Sequence, residues 1–153
     1  MGWSGFSRCL SLVMMISLGG FSTSNPIPEV VSPQQLLERA CNYLWAQQAE
    51  DGGWHSETHG LLRSGQALTP FVLFTLLKMA PDVAQQHADD VVRAIAFIRN
   101  SVNDEGIVGL SDPDVAEYPN YSSAFAVRCL VAAGERGDRP LIDRICRYLQ
   151  SQQ

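Results

Sequence analysis

Lysine is nearly absent from this chain of 153 residues: Lys78 is the only one, and the other ten cations are arginines. No stretch concentrates them, and the formal net charge is −5. Phosphate binding needs clustered Lys and Arg, so a nucleic-acid partner is not expected. Long apolar runs are scarce too. The run Cys9–Leu18 is shorter than the roughly 20 residues a transmembrane helix needs. Phosphate-cradling glycine loops are missing, and Ser, His and Asp are not spaced as a nucleophilic triad. The cysteines are few and far apart, without the close spacing of a zinc site. No metal and no cofactor are expected. At 46% hydrophobic and 18% charged, the composition is that of a folded domain.

The N-terminus carries the layout of a secretory signal. Arg8 precedes the apolar run, Gly19-Gly20 breaks it, and Ser22-Thr23-Ser24 supply small residues for cleavage before Asn25. Residues 1–24 read as a signal peptide and 25–32 as a linker with Pro26 and Pro28. The protein is expected to be exported, periplasmic or extracellular, with association to a membrane surface as an additional expectation and no transmembrane span after cleavage. Removing Cys9 leaves Cys41, Cys129 and Cys146, read as small buried hydrophobes on helix faces. A single disulfide is the alternative.

Residues 33–153 read as helices. Ser32-Pro33 is an N-cap followed by proline at the first helical position. From Pro33 to Ala49, Leu36, Leu37, Ala40, Tyr43, Leu44 and Gln47 recur at helical spacing. Asp51-Gly52-Gly53 ends that helix. A second helix starts near Thr69-Pro70, and Phe71-Val72-Leu73-Phe74-Thr75-Leu76-Leu77 is apolar nearly all round. Such a helix is expected to be buried on most sides, with the first helix outside it.

The scheme then repeats. Arg93-Ala94-Ile95-Ala96-Phe97-Ile98 matches Arg39-Ala40-Cys41-Asn42-Tyr43-Leu44 at an offset of 54, and Asp104-Glu105-Gly106-Ile107-Val108 answers Glu50-Asp51-Gly52-Gly53-Trp54. Ser122–Leu130 answers Thr69–Leu77 at 53, and Asp143–Leu149 opens a third unit at 51 from the second. A period of about fifty residues marks stacked supersecondary units with a shared core. Gln153 aligns with Gln48, so the array is expected to be incomplete, a fragment or truncated product of a longer protein.

At these residues the chain resembles the glutamine–tryptophan repeat of squalene–hopene cyclases, oxidosqualene cyclases and related prenyltransferase-like proteins. Arg39-Ala40, Tyr43-Leu44, Gln48 and Gly52-Gly53-Trp54 fill every slot of that motif. Unit two departs from it, with Val102 for the glutamine and Val108 for the tryptophan. The resemblance covers roughly residues 32–153 and implies an all-α fold: an α/α toroid of paired outer and inner helices, here a partial toroid of about two and a half units. Arg39, Tyr43, Gln48, Gly52 and Trp54 are then structural, Gln48 bonding a neighbouring backbone or indole N–H and Trp54 covering it.

The chemistry of the family is not carried over with its architecture. A cyclase protonates an alkene with an aspartic acid at an inner-helix start, but the matching positions here are Pro119, Tyr121 and Ser122. Asp112-Pro113-Asp114 reads as a solvated turn. The Asp-x-Cys pair of a zinc prenyltransferase is missing, as is an Asp-Asp-x-x-Asp diphosphate motif. His55, Glu57 and His59 read as a polar loop rather than ligands, and His87 as a surface residue. Tyr118, Tyr121 and Phe125 are candidates to line a cavity. No residue is expected to be catalytic. The first functional expectation is a non-catalytic scaffold binding a lipid or isoprenoid or a protein partner. The alternative is the N-terminal part of an isoprenoid-processing enzyme, cyclase-like or prenyltransferase-like, whose acid lies in missing repeats.

Overall fold

The computed structural model describes residues 31–112 and 114–153. The expected signal peptide and residues 25–30 of the linker lie outside them. Among the described residues there are six α-helices, two short 3₁₀ turns and no strand. None of the helices is long and apolar enough to cross a membrane.

Helix α1 (Pro33–Ala46) starts on a capping box: Ser32 Oγ accepts from the Gln35 amide at 3.2 Å, and Gln35 Oε1 accepts from the Ser32 amide at 2.8 Å. It ends three residues before Ala49. The amides of Gln47 and Gln48 tighten onto the carbonyls of Leu44 and Trp45, and the Ala49 amide turns to the Gly53 carbonyl at 2.8 Å. Next come α2 (Leu68–Met79), a short α3 (Pro81–Gln86), α4 (Ala88–Ser101), α5 (Pro119–Ala133) and α6 (Arg139–Ser151). Helices α2 and α5 pack side by side; α4 lies against both, and α6 lies against α5. Leu73, Leu76, Ile98, Leu130 and Ile145 are fully buried between them. Burying each such side chain contributes about 1.5–3 kcal/mol.

Two expectations about faces need correcting. Helix α1 buries Cys41 and Trp45, whereas Leu36 and Tyr43 are 56% and 65% exposed. The indole of Trp45, packed between Trp54 and His87, turns the helix onto a neighbouring stripe. The inner helices are not buried all round either. Helix α2 buries Thr69, Pro70, Leu73 and Leu76 but exposes Phe71 and Lys78, and α5 exposes Tyr121 and Arg128. Each keeps one open face.

The two glycine turns share a hydrogen-bond pattern. The Gly52 amide bonds the Ala49 carbonyl at 3.0 Å, and the Gly106 amide bonds the Asn103 carbonyl at 3.0 Å. The Trp54 amide donates to Thr69 Oγ1 at 2.9 Å; the Val108 amide donates to Ser123 Oγ at 3.0 Å. This pairing sets Thr69 against Ser123 rather than Ser122. The buried face of α5, with Ser122, Ser123, Ala126 and Cys129, keeps the shorter register of 53.

Candidate functional site

Two positive-φ glycines seat their turns on the backbones of α4 and α6. A Cβ on Gly52 (φ 88°) would lie 2.5 Å from the Arg93 carbonyl oxygen, and one on Gly106 (φ 86°) 2.6 Å from that of Arg144. Only glycine fits a left-handed turn pressed against backbone. Gln48 reaches across the same junction. Its Nε2 donates to the carbonyls of Gly52 (3.0 Å) and Asp90 (2.9 Å), and its Oε1 accepts from Arg93 at 3.1 Å. Trp54 works within its own unit, donating Nε1–H to the Leu44 carbonyl at 2.7 Å. Gln48 does not bond the indole, and Tyr43 stands in solvent outside the junction. In unit two, Val102 replaces the glutamine. The Nε–H of Arg144, the counterpart of Arg93, is buried without a hydrogen-bond partner.

A recess of about 400 Å³ opens where α2 and α5 begin, lined by Leu62, Ala67, Leu68, Phe71, Tyr118 and Tyr121. A second of about 450 Å³ shares Leu62 and Tyr118 and adds Thr58, His59, Gly60 and Leu61. The first is walled almost wholly by carbon. Phe125 is not on its wall but supports it, with ring centroids 4.7 Å from Tyr121 and 5.4 Å from Phe71.

Two buried side chains, missed in the sequence, hold the recess in shape. Glu117, 1% exposed, accepts from the amides of Ser64 (2.8 Å) and Ala67 (3.2 Å). Gln66 Oε1 accepts from Gly109 (2.6 Å) and Ser111 (3.3 Å). Each loop is thus tied to the other. Gly109 (φ 102°) allows the approach, since its Cβ would stand 2.4 Å from the Glu117 carbonyl oxygen. Nothing local distinguishes Glu117 from the solvated acids; the closing of two loops far apart in sequence gives it its role.

Tyr118 is the one non-glycine residue with positive φ among the described residues, at 47°. Such a backbone costs about 1–2 kcal/mol. Ser122 Oγ helps hold it, donating to the Glu117 carbonyl at 2.6 Å and within 3.0 Å of that of Tyr118. The kink places the phenol where the two recesses meet.

His55, His87 and Asp112 are engaged away from the recess. His55 meets Asp51 at 3.1 Å and the Arg63 carbonyl at 3.1 Å. Burial alone would raise the Asp51 carboxyl, but the Gly53 amide and His55 together outweigh it and hold it below the usual range. No trio of His, Cys, Asp or Glu among the described residues is placed to hold a metal. His87, expected on the surface, is part-buried, stacked on Trp45 at 4.8 Å and paired with Asp90 at 2.7 Å. Asp112 is bound to Arg63, whose guanidinium holds its carboxyl low.

The three described cysteines are free thiols. Burial pushes Cys129 up to about 12, with its sulfur 3.2 Å from the Pro70 carbonyl. The lining of the first recess is aliphatic and aromatic, with the Tyr118 and Tyr121 phenols its polar groups. Compared with known proteins, the chain matches no family model, no curated protein and no solved structure.

Proposed function

We propose that this chain is a squalene-cyclase-like repeat protein, a partial α/α toroid built on glutamine–tryptophan turns, exported and non-catalytic. It acts as a binding scaffold for a lipid or isoprenoid. The observation that carries the reading is the carbon-walled recess at the starts of the two inner helices, with Tyr118 and Tyr121 on its wall. Apolar clefts with few polar groups suit ligands recognised by shape and hydrophobicity. The junctions support the architecture, because Gln48, Gly52 and Gly106 tie each unit to the next. The test is displacement of a fluorescent hydrophobic dye from the purified chain by farnesol. Saturable displacement is expected, and Phe71→Ala weakens it about tenfold, equivalent to about 1.4 kcal/mol of lost contact. Absence of saturable binding, or binding indifferent to Phe71→Ala, contradicts the reading.

A further inference from the structure

The open face of α2 and α5 changes character along its length. At one end lies the recess. From there the rings form a continuous ladder: Phe71 to Phe125 at 5.4 Å, Tyr121 to Phe125 at 4.7 Å, and Phe125 to Phe74 at 5.5 Å. The ladder ends in two cations. The Arg128 guanidinium sits 4.1 Å from the Phe74 centroid and 5.9 Å from that of Phe125, and Lys78 Nζ is 5.9 Å from Phe74. Among the described residues no carboxylate pairs with either cation. Neither α2 nor α5 contains a single Asp or Glu, although the chain has 16 of them. The only lysine of the chain therefore shares the Phe74 ring with an arginine, on two helices that carry no acid of their own; the nearest acid in sequence, Asp82 at the start of α3, forms no ion pair with either. Lys78 lies in the last turn of α2, where the helix dipole favours a cation. Arg128 lies inside α5, where the dipole gives it no such reason.

We infer that this face binds a single-chain anionic amphiphile, a free long-chain carboxylate, with its head at Lys78 and Arg128 and its tail along Phe74, Phe125 and Phe71 into the recess. The inference rests on the reading of the recess as an apolar ligand site and adds the charge and direction of the ligand. A guanidinium takes a carboxylate through two parallel N–H donors, and the ring faces beneath it keep it in place. The helical rise of 1.5 Å per residue puts Arg128 about 15 Å from Tyr118, the extended length of dodecanoate.

Calorimetric titration of the whole chain with monomeric dodecanoate and with dodecanol at pH 8 tests this. Dodecanoate is expected to bind at least about tenfold tighter, a gap of about 1.4 kcal/mol. The gap narrows with added salt and closes in Lys78→Gln with Arg128→Gln, while dodecanol affinity stays unchanged. If the double variant does not fold, the exposed single change Lys78→Gln and the salt dependence carry the same test. Equal affinity for acid and alcohol overturns the inference and leaves the recess reading standing. Failure of both to bind overturns both readings. Binding to anionic vesicles without binding to monomeric dodecanoate overturns it in favour of a membrane surface.

Discussion

Replacing Gly52 with alanine isolates the energy of the contact between its turn and α4. The new methyl meets two costs: a positive φ of 88° that L-residues rarely adopt, and an oxygen of the Arg93 backbone only 2.5 Å away. Gly134 separates them, because it has φ 71° but no atom within 4 Å of its would-be Cβ. Gly134→Ala thus reports conformational strain alone, about 1 kcal/mol. Gly52→Ala adds the overpacking of two backbones that cannot turn aside as a flexible side chain does, about 1–3 kcal/mol more. At this chain length 1 kcal/mol moves Tm by about 4 °C. Thermal unfolding followed by circular dichroism is expected to show a loss of about 4 °C for Gly134→Ala and about 8–16 °C for Gly52→Ala. Equal losses would refute the claim that the turn is pressed onto the Arg93 backbone.

Restoring the missing glutamine is expected to help: Val102→Gln gives the buried Arg144 Nε–H an acceptor and raises stability by about 1 kcal/mol, read as a higher urea midpoint. No gain would show that a glutamine at position 102 does not reach the Arg144 guanidinium. Glu117→Gln places an N–H against the Ser64 or Ala67 amide, costs about 2 kcal/mol and weakens ligand binding through the displaced Tyr118. A variant as stable as the parent would remove Glu117 from the account. Thiol labelling at pH 8 is expected to modify the half-buried Cys146 first and Cys129 only on unfolding, since burial pushes the Cys129 thiol to about 12 and the thiolate is the reactive form. For the same reason the stability tied to that neutral thiol is intact below its ordinary value of 9.0 and is lost as pH climbs toward 12. Fast native-state labelling of Cys129 would contradict its burial.

The start of α1 was legible in the sequence because its signal is local, the Ser32-Pro33 cap; its end was not, since the helix closes at Ala46 on the carbonyls of Leu44 and Trp45, ahead of Gly52-Gly53. The face of α1 was misread because Trp45 outweighs the Leu36–Tyr43 stripe once Trp54 and His87 close on it, a long-range effect invisible to periodicity. Tyr118 and Tyr121 could be singled out as aromatics at an inner-helix start. Glu117 and Gln66 could not. They act between loops separated by about fifty residues, and an acid searched for only as a proton donor gives no sign of being a backbone acceptor.

The most direct measurement is methyl NMR of the chain labelled at leucine and alanine and titrated with farnesol. The account predicts saturable shifts centred on Leu62, Ala67 and Leu68, with Leu36 and Ala40 on the outer face unmoved. Shifts confined to the outer face, or none at all, would contradict it.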